Sequence, residues 1–135
     1  MKILLDEQLH IAMKQALSNF SVSRVKDMDW EGLKNGELRE KLNENAFDFL
    51  ITADKNLPFQ QNLQKLKFAI LLIDTQSLKW EDECLFVDTI QGFLSHLPQP
   101  SPKLIFISSL KWVNYERVAK LQALLPPNEF LLLFI

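Results

Sequence analysis

Acidic side chains follow two short apolar runs of this sequence, at the point where each run stops. Asp6 comes directly after the run at 3–5, and Asp54 comes three residues after the run at 49–51. Such runs are typical of short strands buried on both faces. If the two strands are neighbours in one parallel sheet, their carboxylates meet in the crevice outside the strand ends, where open α/β sheets bind ligands.

Two further acids are candidates for the same place. Glu37 falls in the first turn of a predicted second helix that opens near Asn35, and Asp74 follows the six-residue apolar run at 68–73. Each acid taken alone is also typical of a solvated strand end or of a charge at a helix start. Taken together, Asp6, Glu37 and Asp54 form a predicted cluster, with Asp74 as a further ligand.

Carboxylates gathered in a crevice repel one another unless something compensates them. A shared proton would raise one pKa, and a divalent cation would neutralise the group. Oxygen ligands without histidine or cysteine suit Mg²⁺ or Mn²⁺, which keep several waters and bridge to phosphates. An ion of this kind activates water for attack on a phosphodiester.

Composition limits the alternatives. The chain has 135 residues, 47% of them hydrophobic and 24% charged, so we expect one globular domain spanning 1–135. The net charge of −2 argues against broad, non-specific binding to nucleic acid. The single cysteine excludes an internal disulfide. No signal-peptide pattern or run long enough to span a bilayer is found, which predicts a cytoplasmic protein without a membrane partner.

Strand and helix patterns alternate along the chain. The predicted strands are 2–5, a short polar one around 22–25, 49–52, 68–73, 104–107 and 130–135. Helical spacing is found around 9–17, 35–46, 80–97 and 114–125, with prolines after the third and fourth helices. This alternation predicts an α/β fold with a parallel sheet covered on both faces.

Three segments together resemble a known family. KILLDEQL at the start, DWEGLKNGEL at 29–38 and FDFLITADKNLPFQQNL at 47–63 resemble the DUF5615 group of PIN-like proteins, which is related to the Mut7-C type. The similarity covers about the first half of the chain. It implies a three-layer α/β/α PIN-like fold with a central, mainly parallel sheet.

The resemblance also implies an activity. Members of the wider PIN-like superfamily are often metal-dependent ribonucleases, and several are toxins paired with an antitoxin. Carried over by position, Asp6, Glu37 and Asp54 are the implied catalytic and metal-binding acids, with Thr52 supporting the turn before Asp54. The sequence departs from the family at Gln8 and His10, and the fourth acid of better-known PIN nucleases has only Asp74 as a candidate.

Three functional interpretations remain open. The first is a Mg²⁺- or Mn²⁺-dependent endoribonuclease acting on RNA, as the toxin of a toxin–antitoxin pair, with phosphate contacts from Arg24, Lys34 and Lys55. The second is a module without strong catalysis that binds an antitoxin or a second copy of itself, forming a homodimer through its apolar tail. The third is a phosphoacceptor domain, which needs a lysine after the fifth strand, where Lys111 stands only after three intervening residues.

Overall fold

Six parallel strands form the centre of the molecule. The computed structural model describes residues 1–135. The strands are β1 (Lys2–Leu5), β2 (Ser21–Arg24), β3 (Phe49–Thr52), β4 (Ala69–Ile73), β5 (Leu104–Ser108) and β6 (Phe130–Phe134). They make one sheet in the order β2-β1-β3-β4-β5-β6. Each strand pairs in parallel with its neighbour, so all six carboxyl ends lie along the same edge.

Five helices connect these strands. They are α1 (Ala12–Ala16), α2 (Asn35–Glu44), α3 (Trp80–Glu83), α4 (Val87–Ser95) and α5 (Tyr115–Gln122). Short 3-10 turns occupy Lys26–Met28, Leu57–Gln60, Leu63–Lys65, Cys84–Phe86 and Pro127–Glu129. No helix of the structure is both long and apolar enough to cross a bilayer.

Alternation of side chains along the strands divides the core into two layers. Leu4 and Leu50 point to one face of the sheet, where Leu38 of α2 and Leu121 of α5 cover them. On the other face, helices α1 and α4 cover a second cluster, which includes Ile3, Leu5, Phe49, Ile51, Met13 and Phe93. Because β3, β4 and β5 are buried along their whole length, they are apolar at every position of both faces except Thr52 and Ser108. The three-layer α/β/α architecture predicted from the sequence is confirmed.

Most predicted elements are confirmed, and the differences lie in the helices. The predicted third helix at 80–97 is broken, because the 3-10 turn at Cys84–Phe86 separates α3 from α4. Asn114 caps α5 by accepting a hydrogen bond from the Arg117 N–H. Asn35, in contrast, is the first residue of α2 rather than its cap, and Lys34 precedes the helix without a side-chain capping bond.

The pairing of β1 with β3 sets up the crevice at the carboxyl edge. Leu5 lies opposite Ile51, and the next N–H along β1, that of Asp6, donates to the Ile51 carbonyl at 2.9 Å. The chain leaves β1 toward β2 on one side and reaches β3 on the other, so the strand order reverses at β1. Open α/β sheets bind their ligands at such a switch point.

Candidate active site

A small cavity opens at the carboxyl ends of β1 and β3. Its volume is about 160 Å³, and two of the predicted acids, Asp6 and Asp54, line it together. The remaining lining residues are Glu7, Gln8, Val25, Trp30, Leu33, Asn35 and Leu38. Carboxylates and amides therefore share the cavity with an apolar wall formed by the loop after β2 and the first turn of α2.

Thr52 connects the two acids. This last residue of β3 is fully buried, and its hydroxyl donates to Asp6 Oδ2 at 2.7 Å. The same Oγ1 accepts a hydrogen bond from the Asp54 N–H at 3.0 Å. One hydroxyl thus orients the Asp6 carboxylate and fixes the turn that carries Asp54.

The loop backbone completes the positioning of both carboxylates. Asp6 Oδ1 accepts from the Glu7 N–H at 2.8 Å, so each oxygen of Asp6 has one donor from the protein. Asp54 Oδ1 accepts from the Asn56 N–H at 3.0 Å and closes an Asx turn. Every carboxylate oxygen has more than one lone-pair direction, so these bonds leave acceptor capacity toward the cavity.

The charge on Asp6 lacks a cationic partner. Burial raises the pKa of Asp6 above its ordinary value, and repulsion from the carboxylates of Asp54 and Glu7 raises it further. The hydrogen bonds from Thr52 and from the Glu7 N–H act in the opposite direction without overcoming burial. The three ion pairs in the structure involve other acids, namely Asp27, Asp74 and Glu116. An uncompensated carboxylate in a crevice is the pattern expected of a cation or proton site.

Glu37 does not lie in the cavity. Its side chain is exposed, and it stands two residues along α2 from Asn35, which does line the cavity. Because successive helical residues are rotated by about 100°, positions i and i+2 face nearly opposite directions, whereas i and i+3 share a face. Asn35 and the buried Leu38 are spaced in this way. The three-residue spacing from Leu38 is the feature of the sequence that places Asn35 on the same face of α2. The Asn35 amide nitrogen donates to Gln60 Oε1 at 2.6 Å, so the amide oxygen of Asn35 remains free to accept a hydrogen bond or bind a cation.

Asp74 belongs to a separate network. Its buried carboxylate forms an ion pair with Lys55 at 2.9 Å and accepts from the Ser108 hydroxyl at 2.7 Å. The Trp112 indole N–H donates to the Asp74 carbonyl at 2.8 Å. These contacts neutralise Asp74 and tie β4 to the ends of β3 and β5. Asp74 therefore has its own cation, and it does not line the cavity that holds Asp6 and Asp54.

The three basic residues predicted to contact phosphate do not all lie beside the Asp6 cavity. Lys55 is turned toward Asp74, while Lys34 is exposed beside the start of α2. Arg24 ends β2 opposite Leu5, so it lies at the same edge of the sheet as Asp6. Arg24 and Lys34 form no ion pair in the structure, and neither of them lines the cavity itself.

The donor set in the cavity fits a hard cation. No group of three or more histidine, cysteine, aspartate or glutamate side chains is arranged around one point. The carboxylates of Asp6 and Asp54 lie in a cavity that Glu7, Gln8 and Asn35 also line. These oxygen-bearing side chains match the way Mg²⁺ is commonly held, through one or two carboxylates with waters and substrate phosphates completing the shell. Asp6 and Asp54 are the residues that would hold such an ion.

Comparison of the chain with protein-family models, with curated proteins and with solved structures gives no match.

The double role of Thr52 predicts the effect of its removal. Thr52→Val keeps the shape but leaves Asp6 Oδ2 and the Asp54 N–H without their partner, so we expect a loss of about 1–3 kcal/mol in the free energy of unfolding. The pKa of Asp6 should rise further, because a bond that lowers it is gone. Urea denaturation and carboxyl NMR titration measure the two effects. Thr52→Ser is the control, and it should retain the lower Asp6 pKa.

The raised pKa of Asp6 predicts a pH-dependent gain in stability for Asp6→Asn. Ionisation of Asp6 is harder in the folded than in the unfolded chain, so its contribution to stability is fully present below the unfolded pKa, near 3.8, and is lost as the pH rises through the folded value. Without added metal, the variant should unfold at a higher temperature than the wild type at pH 7. The difference should shrink toward pH 3. A difference independent of pH would contradict this account.

The Lys55–Asp74 pair predicts a cost for removing only one partner. Lys55→Met leaves the Asp74 carboxylate buried without its cation, and we expect a loss of about 1–3 kcal/mol, since Lys55 itself is partly exposed. Adding Asp74→Asn should restore part of this loss. Chemical denaturation of both single variants and the double variant measures the coupling, and simple additivity would show that the pair contributes nothing.

Proposed function

We propose that this protein is a Mg²⁺- or Mn²⁺-dependent endoribonuclease that hydrolyses RNA phosphodiester bonds at the cavity between β1 and β3. One observation carries the proposal. Asp6 and Asp54 line the same cavity at the point where the strand order reverses, and neither carboxylate forms an ion pair with a basic side chain. The resemblance of the first half of the chain to PIN-like proteins, and the role of toxin that it implies, agree with this assignment.

The chain's own residues supply positioning and electrostatics. Thr52 and the Glu7 N–H hold the Asp6 carboxylate in one orientation. The hydrogen bond from the Asn56 N–H, which closes the Asx turn, orients the Asp54 carboxylate. Trp30, on the cavity wall, lowers the local dielectric and strengthens the pull of the acids on a cation. When bound, the ion supplies charge neutralisation at the phosphodiester and lowers the pKa of water.

Substrate approach is limited to the carboxyl edge of the sheet. Arg24 and Lys34 offer positive charge near the cavity, whereas Lys55, which follows β3, is already paired with Asp74. Because the net charge is only −2, attraction for phosphate would have to come from local basic side chains such as these. A single-stranded RNA fits such a site better than a duplex, because a single strand bends into a small crevice that the groove of a duplex would not reach.

A second candidate is a PIN-like module that binds an antitoxin or another protein without cleaving RNA. The position of Glu37 favours it, because Glu37 does not line the cavity, and the third acid there is the exposed Glu7 rather than the helix-start acid expected from the sequence. Such a module would retain the cavity and its cation while lacking turnover.

Metal titration and RNA cleavage test both candidates together. We expect saturable Mn²⁺ binding by calorimetry in the wild type and its loss in Asp6→Asn and Asp54→Asn. Metal-dependent cleavage of a fluorogenic single-stranded RNA should fall at least about 100-fold in the same variants. Addition of Mn²⁺ should also raise the unfolding temperature of the wild type but not that of Asp6→Asn.

Asp88→Asn is the matched control, because it removes one exposed carboxylate from α4, away from the cavity. Glu37→Gln distinguishes a two-acid from a three-acid centre. Binding without cleavage in the wild type would favour the second candidate, and absence of Mn²⁺ binding would overturn the nuclease proposal.

A further inference from the structure

The two edges of the sheet differ in chemistry. The β2 edge reads Ser-Val-Ser-Arg, whereas the β6 edge reads Phe-Leu-Leu-Leu-Phe. All five β6 side chains are only partly buried, and β6 pairs with β5 alone. Soluble proteins usually protect an edge with charge, proline, a bulge or a covering segment. Strand β6 carries none of the first three within its length, and its outer backbone has no partner in the chain.

The backbone groups that face outward can be assigned. The Glu129 carbonyl accepts from the Lys103 N–H, and the Ile135 N–H donates to the Ser108 carbonyl, both at 2.9 Å. Odd-numbered residues therefore direct their polar groups toward β5. The backbone polar groups of successive residues in a strand point alternately to its two sides. The N–H and C=O groups of Phe130, Leu132 and Phe134 therefore point outward from the open edge, away from β5.

The sequence of β6 is a palindrome about Leu132. An antiparallel pairing with a second copy, related by a two-fold axis at Leu132, places Leu132 opposite itself and Phe130 opposite Phe134 of the other copy. Each of these three positions is a hydrogen-bonded pair, which exchanges two bonds. The six bonds use all three outward N–H and all three outward C=O groups of each copy, and no group is left over.

Side-chain faces also match under this operation. A two-fold axis normal to the sheet keeps each face on its own side. Phe130 and Leu132 pack on the core layer of α2 and α5, and Leu131 and Leu133 pack on the other layer. Like residues therefore meet like residues on both faces, as an isologous interface requires.

We propose that β6 is a self-association edge, at which two copies of this chain pair their β6 strands antiparallel about Leu132 to form one continuous twelve-stranded sheet. Strand β6 has no charged residue that would recognise an oppositely charged partner. Its palindromic sequence, in contrast, makes it complementary to the β6 strand of a second copy. The polar β2 edges would form the two ends of the long sheet, so the assembly closes at two copies. This inference is independent of the nuclease proposal, because two strands, β4 and β5, separate β6 from the Asp6 cavity at β1 and β3.

Disulfide trapping tests the register. In a Cys84→Ser background, Leu132→Cys places two thiols on residues whose Cα atoms are about 5.5 Å apart, within the range of a disulfide. Phe130→Cys is the matched control, because its two copies are offset by four residues in this register and are too far apart to bridge. Mild oxidation should give covalent dimer for Leu132→Cys and at least about tenfold less for Phe130→Cys.

Sedimentation velocity from roughly 1 µM to 1 mM tests the assembly itself. We expect a monomer–dimer equilibrium in the wild-type chain. Leu132→Pro removes an outward N–H and should weaken dimerisation at least about tenfold, while an edge position of this kind tolerates proline. Circular dichroism checks that the variant is folded, and Leu132→Lys, which places two like charges opposite each other, provides a second disruption.

A monomer at every concentration would overturn the proposal. A dimer with equal trapping at both cysteine positions, or one insensitive to both Leu132 variants, would also overturn it by showing that another surface or another register is used.

Discussion

The hydrogen bond between the Thr52 hydroxyl and Asp6 Oδ2 holds the carboxyl edge of this structure together. It joins the end of β3 to the residue after β1, and the same oxygen then receives the Asp54 N–H. The contact exists only in the observed register, with Leu5 opposite Ile51. A shift by one residue would exchange the two faces of β3, moving Leu50 and Ile51 to the wrong core layers. The packing of the sheet and the geometry of the cavity therefore depend on the same register.

Two acids at the carboxyl edge, Asp74 after β4 and Asp6 after β1, have opposite electrostatic surroundings. The Asp74 carboxylate pairs with the Lys55 ammonium and accepts a hydrogen bond from the Ser108 hydroxyl, so its charge is compensated within the fold. Asp6 receives only neutral donors and faces two more carboxylates. Although Lys55 follows Asp54 directly in the chain, its ammonium turns to the next strand. Burial and the absence of a cationic partner make ionisation of Asp6 unfavourable for the stability of the folded chain.

The sequence predicted the strands well because each buried parallel strand is a continuous apolar run. The differences between the expected and the observed positions have local physical causes. The helix at 80–97 keeps its apolar spacing through Leu85 and Phe86, and periodicity alone does not reveal the 3-10 turn that interrupts it. The position of Glu37 in the first turn of α2 suggested that it would join the acids, but the rotation of the helix places Asn35 at the cavity instead. Lys55 and Asp74 are nineteen positions apart in the chain, and their ion pair joins the ends of the adjacent strands β3 and β4. Helical or strand periodicity in the sequence therefore does not reveal this pair.

The position of β6 relative to the cavity determines what self-association would do. Two strands, β4 and β5, separate β6 from the β1–β3 crevice, so pairing at this edge leaves the cavity uncovered. The two-fold axis also reverses strand direction, and the carboxyl edges of the two copies then face opposite sides of the assembly. One short RNA would not contact both cavities at once, and each copy would act as an independent site. Pairing of β6 would thus protect an apolar edge from uncontrolled association without coupling the two centres.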